Sequence, residues 1–216
     1  MDEPERRAAA PVEMGSERVE AFSDGVMAVI ITILALELRP PNGSTLLALR
    51  HEVPSLFIYV LAFTFIAIYW NNHHHLLRAT TRISGAVMWA NMFLLFCLSL
   101  IPVTTEWLRK APYHEPLPAA AFGVVGLLAA FAYFLLVHAI IRANGRDSLV
   151  ATAIASDIKG NASIAMYAAG VGLAYVEVWI AYALYAAVAV MWMVPDRRFA
   201  RGGGMNDRHG REERSV

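Results

Sequence analysis

The sequence predicts an all-α, polytopic membrane protein with six transmembrane helices. Three observations predict it. Hydrophobic residues make up 57% of the chain and mean hydropathy is +0.47, above the apolar share of about 45–50% found in soluble domains. Six apolar runs follow one another, at about 19–38, 53–76, 84–106, 118–141, 162–176 and 178–194, and a spanning helix needs ~20 such residues. Lys and Arg fall mostly on alternate connections, as the positive-inside rule requires.

Taken in order, the runs define a segment 17–195 of six spans between a polar tail at 1–16 and a Gly- and Arg-rich basic tail at 196–216. Both tails read as disordered, because they hold too little apolar surface to offset the entropy of ordering. The fifth and sixth runs are short. The turn-like Tyr175-Val176-Glu177 separates them, so they read as a tight helical hairpin. With six spans, the two tails and the loops at 77–83 and 142–160 share one side and carry 14 of the 18 basic residues. Arg39, Arg50, Arg109 and Lys110 fall on the other side. The rule then puts both termini in the cytoplasm. Trp70, Trp89, Trp107, Trp179 and Trp192 lie mostly near run ends, where aromatic belts sit. The formal net charge of zero gives no support to nucleic-acid binding. The single cysteine, Cys97, lies in an apolar run and reads as a small buried side chain.

The first run, RVEAFSDGVMAVIITILALEL at 18–38, carries Arg18, Ser23 and Asp24 in its first turns. An Asp or Arg costs roughly 2.5–3.5 kcal/mol at the centre of a membrane helix, so these groups need partners. At about 100° per residue, Arg18, Phe22, Gly25, Val29, Thr32, Ile33 and Leu36 share one broad face. Ser23 and Asp24 point elsewhere, toward a neighbouring helix. Val29, Ile33 and Leu36 alone are an ordinary apolar stripe of the kind every membrane helix has.

The next two runs offer the partners. Trp70-Asn71-Asn72-His73-His74-His75 ends the second run on the same side as Ser23 and Asp24, and Asn91 lies early in the third. Imidazole and amide groups are able to hold those side chains. Three adjacent histidines also suggest a metal site. Consecutive helical residues diverge by about 100°, however, so His73, His74 and His75 cannot converge on one ion by themselves. Pro102 is expected to kink the third helix. Gly170-Val171-Gly172 sits in a late apolar run and reads as close helix packing, not as an extended carbonyl filter.

Arg18-x-x-x-Phe22-Ser23-Asp24 followed by Gly25–Thr32, together with Trp70, Asn72-His73-His74, Asn91, Pro102 and Pro195-Asp196-Arg197-Arg198, resembles the transmembrane protein 175 family of potassium channels. The resemblance covers residues 16 to 198. It implies a homotetramer in the cell membrane in which four copies of helix one line a central pore. Potassium ions pass through that pore passively, and apolar side-chain rings form the constriction. By position those rings are Val29, Ile33 and Leu36, with Thr32 as a polar ring beside them. Val29 is smaller than the Ile or Leu usual there, which implies a wider constriction. Arg18, Phe22, Ser23, Asp24, Trp70, His73, His74 and Asn91 would form a structural polar network. The only ligands implied are the permeant ions, with no cofactor, no resident metal and no enzymatic activity.

Two other classes fit the residues in part. A membrane-embedded metal-dependent enzyme would use Asp24 and the His73–His75 cluster. A proton-coupled transporter would use Asp24 and Arg18 as a relay. The transporter reading lacks the inverted repeat such folds are built from. RxxxFSD occurs once, so one chain cannot enclose a pore about this helix, whereas a cyclic oligomer can.

Overall fold

The computed structural model describes residues 15–145, 147–154 and 158–193. Nearly all of both expected tails, the Pro195–Arg198 motif and Arg146 lie outside the described residues. All regular structure within them is helical: α1 (Ser16–Leu36), α2 (Leu46–Arg78), α3 (Gly85–Ser99), α4 (Ile101–Lys110), α5 (Pro116–Asn144), α6 (Leu149–Ile154), α7 (Ile158–Leu173) and α8 (Val178–Met193).

Helix ends follow local chemistry. Thr45 caps α2 by accepting from the Ala48 N–H at 3.2 Å, and Ser84 caps α3 by accepting from the Val87 N–H at 3.3 Å. Gly145, with φ of 92°, closes α5 in a conformation that side chains disfavour. The Asn144 carboxamide oxygen accepts from the backbone N–H groups of Thr81 and Arg82 at 3.1 and 2.8 Å. That ties the α2–α3 connection to the end of α5.

α3 and α4 form one 26-residue apolar unit, Gly85–Lys110. It is interrupted at Leu100, where the Leu100 N–H bonds the Cys97 carbonyl at 3.2 Å. Pro102, two residues on, has no N–H to give the Leu98 carbonyl, which is the physical cause of an interruption here. This is the distortion the sequence expected at Pro102.

Among the described residues, four units are long and apolar enough to cross a membrane: α1, α2, α3–α4 and α5. The fifth and sixth runs appear as α7 and α8, of 16 residues each, or about 24 Å at 1.5 Å per residue. The described part of each is shorter than the ~30 Å hydrocarbon core. The pair is a hairpin turning at 174–177, as expected. The expected 142–160 loop departs in one respect: it contains the one-and-a-half-turn helix α6.

The core joins all these helices. α5 packs on α3, α4, α7 and α8, while α1 packs on α2, α3 and α4. Lipid supplies no hydrophobic drive for helix association, so close approach matters. A Cβ placed on Gly170 of α7 would lie 2.5 Å from Tyr185 Cε1, and one on Gly126 of α5 would lie 2.6 Å from Tyr167 Cε1. These two glycines admit the stacked Tyr167 and Tyr185 rings into the α5–α7–α8 contact. Gly170, Val171 and Gly172 are α-helical, so the packing reading of this segment holds. Cys97 is fully buried in the same core.

Candidate ion pathway and its polar anchor

α1 has two faces. Val19, Ser23, Met27, Ile30 and Leu34 are buried against α2, α3 and α4. Arg18, Phe22, Gly25, Val29, Thr32, Ile33 and Leu36 are all exposed. Val29, Ile33 and Leu36 keep 56%, 40% and 83% of their surface. An open groove of ≈ 590 Å³ runs beside this face, lined by Phe22, Gly25, Val29 and Ile33 of α1 and by Pro102 and Val103 of α4. The Thr32 hydroxyl donates to the Val29 carbonyl at 2.8 Å. Its proton is thereby turned back onto the helix, and its oxygen lone pairs remain free to meet a cation.

The opposite face carries the anchor. His73 Nε2 lies 2.6 Å from Asn91 Oδ1, Asn91 Nδ2 donates to Ser23 Oγ at 2.9 Å, and Ser23 Oγ donates to the Val19 carbonyl at 2.7 Å. With Asn91 in this orientation His73 is the donor, so the chain runs in one direction from α2 through α3 to α1. All three side chains are buried. Interhelical hydrogen bonds of this kind average about 0.6 kcal/mol in membrane proteins, with a maximum near 1.7. Several of them set helix register more than they add bulk stability.

A second cluster lies one turn nearer the N-terminus of α1. His74 Nδ1 is 2.7 Å from Glu20 Oε1, and Arg78 Nε is 3.7 Å from the same oxygen. Trp70 stacks on His74 with ring centroids 5.7 Å apart. Asp24, one turn beyond Glu20, is half-buried, and its Oδ1 is buried without a hydrogen-bond partner.

The expected eight-residue network therefore divides. The structure brings Ser23, His73 and Asn91 together, and it gathers Asp24, Trp70 and His74 around Glu20. Arg18 and Phe22 are not brought to either cluster within the single chain. They lie on the exposed face with Val29, because 18, 22, 25 and 29 share one stripe of the helix. The three histidines diverge as helical geometry requires, with His73 turned to Asn91 and His74 to Glu20.

Two participants escaped the sequence reading. Glu20 sits one helical turn before Asp24, and that i, i+4 spacing was the available signal. Glu37, at the C-terminal end of α1, also lines the groove. Burial raises its carboxyl above the ordinary range; Glu106 adds to the rise, and Arg109 and Lys110 oppose it. Arg109 Nη1 donates to the Glu37 backbone carbonyl at 2.6 Å, holding the end of α1 to α4.

Fold and site define an α-helical, multi-pass membrane protein in which the polar-mouthed first helix is anchored on one face and open on the other. Residues 18–102 match the family described as endosomal/lysosomal potassium channel TMEM175. A potassium channel from Chryseobacterium sp. (strain P1-3) is 40% identical over 188 residues, covering 87% of this chain and 97% of that protein. A potassium channel from Streptomyces collinus (strain DSM 40733 / Tue 365) is 36% identical over 126 residues, 55% of this chain and 61% of the relative. The crystal structure of a lysosomal potassium-selective channel TMEM175 homolog from Chamaesiphon minutus superposes with a TM-score of 0.72 at 25% identity, covering 83% of this chain and 96% of the other. The chain belongs to the TMEM175 family.

Proposed function

We propose that the protein is a potassium channel, not an enzyme, and that four copies surround a central pore lined by α1. The observation that carries this reading is the exposed stripe Val29, Thr32, Ile33 and Leu36 on a helix whose other face is fixed by hydrogen bonds. A helix that only faced lipid would not need its rotation pinned by a buried polar chain. A pore helix does, because a small rotation would exchange the side chains at the constriction.

In this reading Val29, Ile33 and Leu36 form successive apolar rings that ions pass by partial dehydration, and the rings close the pore by dewetting. The Thr32 ring offers oxygen lone pairs between them. Potassium, which gives up hydration water at lower cost than sodium, is favoured at such a constriction. Six spans per subunit with both termini in the cytoplasm fit the distribution of basic residues, and residence in the cell membrane is what the likeness to bacterial potassium channels supports. A metal-dependent enzyme built on Asp24 and His73–His75 is disfavoured by the divergence of the His73 and His74 rings to separate partners.

The test is cation flux from purified protein in liposomes, with potassium, sodium, caesium and protons compared, alongside the native mass in detergent. Flux favouring potassium and caesium over sodium, from a particle of four chains, is expected. A monomer under all conditions, or flux requiring a proton gradient, contradicts the proposal.

A further inference from the structure

We propose that Glu20, Asp24 and His74 form a binding site for a divalent transition-metal ion of zinc type, clamping α1 to α2 beside the N-terminal mouth of the open face. The three residues each offer one ligand atom, and these atoms lie within 4.8 Å of one another. Glu20 and Asp24 are one helical turn apart, so both carboxylates leave the same side of α1. His74 meets them from α2.

Two features of the cluster suit a cation. Asp24 Oδ1 is buried without a hydrogen-bond partner. His74 Nδ1 approaches Glu20 Oε1 to 2.7 Å, so an imidazole nitrogen of α2 and a carboxylate oxygen of α1 already face the same point. Imidazole nitrogen and carboxylate oxygen are both ligand types that zinc takes, with bonds of about 2.0–2.2 Å. A tetrahedral ion needs donors about 3.4 Å apart, which side-chain rotation reaches from the present separations. A divalent ion would neutralise both carboxylates and give Asp24 Oδ1 its partner. Stacking of Trp70 on His74 holds the ring in place, the supporting role that outer groups play at metal sites.

Access and opposition are both visible. An opening lined by Ser16, Glu17, Glu20, Asp24 and Arg78 reaches the cluster, giving an entry path and room for a water as fourth ligand. Arg78 lies 3.7 Å from Glu20 and its side chain is 68% exposed. Its positive charge competes with the ion, and its exposure lets it swing away. Metal binding would fix the N-terminal end of α1 to α2. The binding claim stands apart from the channel assignment, and only its effect on flux rests on that assignment.

Isothermal titration of zinc into the purified full-length protein in detergent is the test, with thermal unfolding run in parallel. One ion per chain is expected, with a rise in melting temperature on loading. Glu20→Gln, Asp24→Asn and His74→Gln should each weaken binding at least tenfold. Arg78→Gln should tighten it severalfold, a gain that misfolding cannot imitate. Zinc should slow cation flux in wild type and not in His74→Gln. Absence of saturable binding to folded wild type, or unchanged affinity in both His74→Gln and Arg78→Gln, overturns the site. Binding without any change in flux overturns the clamp on conduction and leaves the site standing.

Discussion

Asn91 of α3 donates from Nδ2 to Ser23 Oγ of α1 at 2.9 Å, and the same carboxamide accepts from His73 of α2 through its oxygen. One side chain thus joins three helices and fixes the rotation of α1. Replacing it removes two interhelical hydrogen bonds, whereas replacing Ser23 removes one. Asn91→Ala should therefore lower stability more than Ser23→Ala. Chemical or thermal unfolding in detergent should put Ser23→Ala at about 0.6–1.7 kcal/mol and Asn91→Ala above that range. Equal costs would mean that the His73 bond contributes nothing.

Val29 keeps 56% of its surface in the single chain, so the site has room for a larger side chain facing the proposed axis. Val29→Leu should lower total cation flux and increase the preference for potassium over sodium, because a narrower apolar ring demands more complete dehydration. Stability should be unchanged. Flux equal to wild type would remove Val29 from the constriction.

At the other end of α1, burial raises the Glu37 carboxyl above its ordinary value of 4.5. As pH falls, its negative charge is lost earlier than that of a free carboxylate. In the proposed tetramer a ring of such charges beside the groove would concentrate cations. Potassium flux should fall as pH on that side drops from 7 into the acid range. Glu37→Gln should give reduced flux at neutral pH with a flatter profile. Proteoliposome flux measured against outside pH checks both.

Tyr185 packs onto Gly170, and an added Cβ there would lie 2.5 Å from its ring. Gly172, two residues along the same helix, has nothing within 4 Å of an added Cβ. Gly170→Ala should cost about 1–3 kcal/mol through overpacking, and Gly172→Ala should be neutral or slightly stabilising. Comparative melting temperatures distinguish the two.

The apolar runs, the hairpin turn at 174–177 and the distortion near Pro102 were legible because each follows from local chemistry: hydropathy, turn-like residues and a missing N–H. The partnership of Ser23 with His73 and Asn91 was legible for a different reason. Polar groups are scarce in these helices, so those present at the same depth must meet. Glu20 was hidden because, one turn from a charged tail, an acid reads as solvated. Its partners His74 and Arg78 lie more than fifty positions away, and only packing brings them near. The exposed positions of Arg18 and Phe22 were legible in the helical wheel, which puts them on the stripe of Val29 and away from Ser23 and Asp24. Glu37 was overlooked because a charge at a run end needs no explanation until burial shows that it is not free in water.

The central claim is that the exposed stripe of α1 is the constriction. Its most direct test is the sodium-to-potassium flux ratio of Ile33→Asn in liposomes, with Leu36→Ala beside it. A polar ring at 33 should substitute for lost hydration water and raise sodium flux severalfold relative to potassium, and the smaller side chain at 36 should raise total flux. Wild-type selectivity and rate in both folded variants would contradict the account.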